Sequence, residues 1–141
     1  MRSLLMFALF CAPVAAAAQE RETIQMPGAP NLPFSSAVRV GNMLYLSGQI
    51  GTRPGEGVVA GGVGPETRQT MENIKATLEY AGSSLAQVVK CTVFLADIAD
   101  YAAVNEVYAT YFSEDPPARS AVAGSGLALG ARVEIECMAV V

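Results

Sequence analysis

The sequence predicts an α+β domain, a mixed sheet backed by two helices on one face. Three patterns carry that expectation. Val88 to Leu95 is rich in β-branched residues, and Arg132 to Val140 alternates apolar with other residues at the period of a strand. Met71, Ile74, Leu78 and Ala81 recur at helical spacing. Gly41-Asn42 separates two apolar runs as a tight hairpin turn does.

The domain begins at residue 19. Arg2 gives a short positive start, Leu4 to Phe10 is an apolar core extended by Ala12 to Ala18, and Ala16-Ala17-Ala18 fits a small-x-small cleavage site. Residues 1–18 therefore read as a secretory signal peptide, too short for a comfortable membrane span. Cys11 falls within it, with Phe10 where a lipoprotein box wants a small residue. Residues 19–141 then form one domain, long enough to bury its own core. Export, most simply to a periplasm, is the expectation, with no membrane partner after cleavage.

From Gln19 to Ser35 the chain is polar and carries Pro27, Pro30 and Pro33, an extended entry with a short edge strand near Thr23 to Gln25. Ala37 to Val40 and Met43 to Ser47 flank the hairpin turn. Residues 51–64 hold six glycines and read as a flexible loop; no Gly-Lys-Ser/Thr follows, so it is no phosphate loop. Pro65 opens the first helix and Gly82 stops it. Asp97 caps the second, with Tyr101, Val104, Tyr108, Tyr111 and Phe112 as its inner face and Pro116-Pro117 as its end. Arg119 to Ala123 and Arg132 to Val140 are the last two strands, the latter with Arg132, Glu134 and Glu136 on one face. Leu44, Leu46, Thr92 and Phe94 are read as lining the sheet face that no helix covers. That face is too apolar to stay wet, so sister subunits are expected to close it. Cys91 and Cys137 read as buried free thiols packing as small hydrophobes, although an exported chain could pair them.

Composition removes several kinds of chemistry. The 141 residues include no histidine, which excludes a histidine base, a Ser-His triad and a histidine-ligated metal. The net charge is −4 and falls further once Arg2 leaves with the leader. No basic run survives, so nucleic acid is not an expected partner. What remains for chemistry near neutral pH is a carboxylate and an arginine. Arg119 follows two prolines and starts a strand, as a ligand-gripping fork would. A structural salt bridge, for instance to Glu134, reads equally from the residues alone. Glu134 and Glu136 share a strand face about 6.5–7 Å apart, which suits either a carboxylate pair in a cleft or an acidic sheet edge. Ser47-Gly48 ends a strand where glycine allows close approach to the backbone. Asn105 flanks the stripe of the second helix.

Taken together, Ser47-Gly48-Gln49, Glu72-Asn73-Ile74-Lys75-Ala76, Ala81-Gly82-Ser83-Ser84-Leu85, Val104-Asn105-Glu106-Val107-Tyr108, Pro117-Ala118-Arg119-Ser120 and Val133-Glu134-Ile135-Glu136 resemble the RidA (YjgF/YER057c/UK114) family of reactive-intermediate deaminases. The resemblance runs from about Pro30 to Val140. It implies a chorismate-mutase-like fold, a homotrimer with a cleft at each subunit interface, and hydrolysis of 2-imino acids and their enamine tautomers to 2-oxo acids and ammonia, with no metal or organic cofactor. On this resemblance Arg119 binds the substrate carboxylate, Glu134 positions water, and Ser47, Gly48 and Asn105 line the cleft. Phe34 stands where many members carry a tyrosine, and Ala121 where many carry a cysteine after Arg-Ser. The Gly124 to Gly130 loop replaces an Arg-Leu-Pro-Lys segment. The first two change the lining of the cleft.

Three functions compete at this level: an exported imine deaminase, a non-catalytic trimer that binds small carboxylates or acts as a holdase, and a ribonuclease. The acidic balance and the missing histidine speak against the third.

Overall fold

The computed structural model describes residues 19–29 and 31–141; the predicted signal peptide lies outside them. Nine strands and two α-helices follow in the order β1 (Arg21–Ile24), β2 (Ala37–Val40), β3 (Met43–Leu46), β4 (Gln49–Ile50), β5 (Thr52–Arg53), β6 (Gly57–Val58), α1 (Val63–Tyr80), β7 (Val88–Leu95), α2 (Tyr101–Tyr108), β8 (Ala118–Ala123) and β9 (Val133–Val140). The main sheet is ordered β1-β2-β3-β9-β7-β8, with β4 also on β9. Only β7 and β8 pair in parallel; the other pairs are antiparallel. A parallel pair needs a crossover, and α2 supplies it. The α+β class and the mixed sheet agree with the sequence reading.

Gly41-Asn42 makes the two-residue turn between β2 and β3, with Val40 opposite Met43 and Gly41 at φ 60°. At the end of α1, Gly82 takes φ 82°, and Ser83 N–H reaches back to the Leu78 carbonyl at 2.8 Å. Asp97 caps the turn that leads into α2, accepting from Ala99 N–H at 2.9 Å. The first helix starts two residues before Pro65, from Gly62. It delivers Met71, Ile74 and Leu78 to the core, all fully buried. Three buried threonines share that helix, and each hydroxyl donates to the carbonyl four residues back, so burial leaves no hydroxyl unpaired.

The structure corrects several expectations. Leu44 and Leu46 are buried under the helices and belong to the core. The face that no helix covers carries Tyr45 and Met138 instead, paired across β3 and β9, beside Thr92 and Phe94. Helix α2 ends at Tyr108, so Tyr111 and Phe112 pack from the turns beyond it. Residues 51–64 are not a loose loop. They hold a two-stranded ribbon of β5 and β6, and Asn73 on α1 donates to the carbonyls of Ile50 and Thr52 at 3.1 and 3.0 Å. Gly51 sits against the start of α1 so closely that a Cβ would lie 2.6 Å from the Glu66 carbonyl oxygen.

Cys91 and Cys137 do not remain free. They are register partners on β7 and β9, and their sulfurs form a disulfide in the core, where the two residues are 0% and 1% exposed. Sequence spacing says nothing of strand register, which is why the pairing was not legible. The bond closes a long loop and constrains the unfolded chain. Replacing both cysteines by alanine is expected to lower stability by about 2–4 kcal/mol, measured by urea unfolding. Intact mass under non-reducing conditions must show two hydrogens fewer than the thiol form.

Candidate functional site

Arg119 lies on β8, the outer strand of the sheet, opposite Cys91. Cys91 points into the core beneath the helices, so Arg119, its register partner, leans to the helix side as well. There it meets α2. Its Nη1 donates to Asn105 Oδ1 at 2.6 Å and its Nη2 donates to Tyr101 Oη at 3.0 Å. The guanidinium carbon also sits 5.5 and 5.0 Å from the ring centres of Tyr101 and Tyr108, within the range of cation–π attraction. Two of the five N–H donors of the arginine are thus committed, and three remain. That is enough for a two-point grip on a carboxylate. Burial pushes the Tyr108 hydroxyl up to about 12, with Arg119 opposing, so Tyr108 stays neutral beside the cation. Ala121 follows on the same face and packs toward the core.

The N-terminal end of α2 is held in place by a second group of charges. Arg132 grips Asp100 through Nε at 2.9 Å and Nη2 at 2.6 Å, and its backbone N–H donates to Glu66 on α1 at 2.7 Å. Asp100 and Glu66 are 7% and 5% exposed. Arg132 therefore turns back toward the helices and does not share a face with Glu134 and Glu136. This knot fixes both helices against the start of β9.

Glu134 is built from different elements. It lies on β9 opposite Phe94 and Ile50, three residues before the inward-facing Cys137. Alternation puts its side chain on the face that the helices leave open. Glu136 shares that face. Gly48 stands next to Glu134, in the break between β3 and β4. Tyr45 pairs with Met138 and Gln49 with Ile135, so three residues on one side face two on β9, a bulge. A Cβ on Gly48 would overlap the Glu134 carboxylate, with the carboxyl carbon only 2.9 Å away. Ser47 closes this corner: its N–H donates to the Ser36 carbonyl and its hydroxyl to the Ser35 carbonyl at 2.7 Å. The hydroxyl proton is spent there, leaving Ser47 as an acceptor. Phe34 is 53% exposed and lines a groove with Ser47, Leu32 and Val38.

The candidate residues thus fall into two groups, Arg119 with Asn105 and Ala121, and Glu134 with Gly48, Ser47 and Phe34. Within one chain they occupy opposite faces of the sheet. Arg119 and Glu134 form no ion pair among the described residues, so the salt bridge read from sequence is not made. The sequence pattern places Tyr101 on an apolar inner face. It is 41% exposed and turned to Arg119. Its position one turn before Asn105 was the available signal, since residues four apart share a helix face.

A mixed sheet backed by two helices, with an arginine held by α2 at its outer strand, defines a small α+β domain. Residues 23–141 match the model of the family described as Endoribonuclease L-PSP. The chain belongs to this family, that of the RidA and YjgF proteins. A human relative named 2-iminobutanoate/2-iminopropanoate deaminase is 45% identical over 119 residues, which span 84% of this chain and 86% of the human protein. Among solved structures, the YjgF gene product from E. coli superposes with a TM-score of 0.78 at 39% identity, over 84% of this chain and 98% of that one. The structure of E. coli TdcF with bound serine has a TM-score of 0.78 at 36% identity, over 85% and 98% of the two chains.

Gly48→Ala is expected to push the Glu134 carboxylate off its present position and to cost about 1–3 kcal/mol of stability through overpacking. A crystal structure and a thermal melt of the variant check both; an unmoved Glu134 would contradict the close approach.

Proposed function

We propose that this chain is an exported imine deaminase that hydrolyses 2-imino acids to 2-oxo acids and ammonia at clefts formed between copies of itself. The observation that carries the proposal is the separation just described. Arg119 offers three free N–H donors on one face, while Glu134 stands beside the Gly48 bulge on the other. A substrate of the form R–C(=NH)–COO⁻ needs both a grip on its carboxylate and a water at its imine carbon. One chain cannot supply both at one place. Two chains can, when the Arg119 side of one meets the Glu134 side of the next. The exposed apolar side chains of the uncovered face, Tyr45, Val122 and Met138, favour such closure, and a homotrimer is the assembly we assign. The name of the human relative and the serine bound to TdcF support a small carboxylate as substrate.

The chemistry asks little of the protein. Arg119 fixes the carboxylate and so the adjacent imine carbon. Glu134 accepts a proton from water as its oxygen bonds to that carbon. The proton passes to nitrogen, giving a carbinolamine, R–C(OH)(NH₂)–COO⁻. A further proton on nitrogen releases ammonia as the C–N bond breaks, and the hydroxyl loses its proton to become the carbonyl of the 2-oxo acid. Glu134 takes and returns the proton, so it ends unchanged. Gly48 leaves room for that carboxylate, and Phe34 and Ala121 shape the walls beside the two groups. This route uses no metal or organic cofactor.

Export is part of the proposal. Residues 1–18 have the pattern of a signal peptide, and a disulfide of the Cys91–Cys137 kind persists in an oxidising compartment such as the periplasm. No helix of the described residues is long and apolar enough to cross a membrane.

The test follows decay of 2-iminopropanoate and 2-iminobutanoate, generated in place by an amino-acid oxidase and trapped with semicarbazide. The chain from Gln19 should accelerate it, and Arg119→Ala should lower kcat/KM by about a hundredfold or more. Mixing inactive Arg119→Ala chains with inactive Glu134→Gln chains should restore part of the activity, because some clefts then hold one intact residue from each. A folded, assembled chain that binds 2-oxobutanoate without accelerating decay would make it a carboxylate-binding protein instead. Degradation of RNA lost on mutation of the cleft would point to the ribonuclease reading.

A further inference from the structure

We propose that Tyr101 is a substrate-binding residue of this site, its hydroxyl donating to one carboxylate oxygen of the 2-imino acid while Arg119 holds the carboxylate. The inference rests on the reading of Arg119 as the carboxylate anchor and adds a second donor to it. Tyr101 and Asn105 lie four residues apart on α2 and so share one flank of the helix. Both accept a hydrogen bond from Arg119, and they do so at its two terminal nitrogens. They differ in what the accepting oxygen keeps. The amide oxygen of Asn105 only accepts. The phenol of Tyr101 accepts from Nη2 and still owns a hydrogen. Among the described residues no acceptor takes that hydrogen.

Exposure separates Tyr101 from the other ring on the guanidinium. Tyr108 is 6% exposed, and its hydroxyl is sealed away without a partner. That ring braces the cation from inside and cannot reach a ligand. Tyr101 is 41% exposed, with its oxygen 3.0 Å from Nη2 at the open side. A carboxylate that docks on the remaining N–H groups of Arg119 brings two acceptor oxygens beside Nη2. The free hydrogen of Tyr101 then finds its acceptor in the ligand. Accepting from a cation also makes the hydroxyl a better donor, because hydrogen bonds in a chain polarise one another. The arrangement selects a carboxylate over an uncharged carbonyl group, since both donors favour the anion.

Isothermal titration of the assembled chain with 2-oxobutanoate and with its uncharged amide tests the proposal; the protein has no tryptophan to report binding by fluorescence. Tyr101→Phe keeps the ring over the guanidinium and removes only the hydroxyl. It should weaken 2-oxobutanoate binding by about tenfold or more and leave the amide nearly unchanged. In turnover, KM for the imino acid should rise with kcat nearly constant, the mark of an interaction made equally in ground and transition states. Tyr101→Ala should weaken acid binding further, as the cation–π contact goes too. A general distortion of the site would weaken acid and amide alike, and that result would overturn the proposal. So would a Tyr101→Phe chain that binds the acid as tightly as the parent, or a parent that binds no 2-oxo acid. The two readings fail separately. A parent that hydrolyses imines while Tyr101→Phe matches it removes the role of the hydroxyl and leaves the deaminase. A parent that discriminates acid from amide through Tyr101 without turnover does the reverse.

Discussion

The pairing of β7 with β9, the two longest strands of the sheet, governs the rest of the molecule. Every other strand of the main sheet is placed relative to these two, β8 beyond β7 on one side and β3 with β4 beyond β9 on the other. Their inward residues, Cys91, Val93, Leu95, Val133, Ile135, Cys137 and Ala139, form the floor on which the helices pack, and all are essentially inaccessible. Burial of this kind removes any tolerance for slippage. A shift of one residue would send Glu134 into the apolar core and bring an apolar side chain out in its place. The hydrophobic floor thus decides which face each chemical side chain occupies. The disulfide between directly opposed residues fixes the same register covalently.

That constraint explains why the chemical groups divide as they do. Residues at even and odd positions of a strand serve opposite faces. Arg119 takes the parity of Cys91, and Glu134 the opposite one. The two sides also differ in how they are built. Around Arg119 the partners are side chains on α2, whose position is set by the Arg132–Asp100 ion pair and the Glu66 acceptor. Around Glu134 the shaping element is backbone, a bulge with a glycine at its tightest point. One side is tuned by residue type, the other by the path of the chain.

Much of the fold could be read from local signals. The Gly41-Asn42 turn and the stop at Gly82 are each determined within a few residues and appear where the sequence puts them, while Asp97 caps the short turn that runs into α2 and not α2 itself. What escaped depends on the relation between distant segments. Parity within β8 and β9 is visible in the sequence, but whether Arg119 and Glu134 share a face depends on how both strands align with β7. Leu44 and Leu46 alternate correctly with Tyr45, yet nothing local says which set faces the helices. The ribbon of β5 and β6 hides in a glycine-rich stretch because its support comes from Asn73 on α1. Tyr101 looked like core because a tyrosine at helical spacing among apolar residues usually is. Its hydroxyl acquires a partner only once β8 delivers an arginine beside it.

Cys91 and Cys137 are sealed beneath two helices and within the longest strand pair. A thiol reagent must approach a sulfur along the bond axis, and no such path exists while the sheet is closed. Reduction must therefore wait for the helices to lift and the centre of the sheet to open, an event near the global end of the scale of native-state fluctuations. The disulfide acts as a clock for the rarest motion of the domain. Its rate of reduction, at reductant levels where chemistry outpaces reclosing, counts openings of the core, whereas amide exchange at β1 or at the β5–β6 ribbon counts only the fraying of the rim.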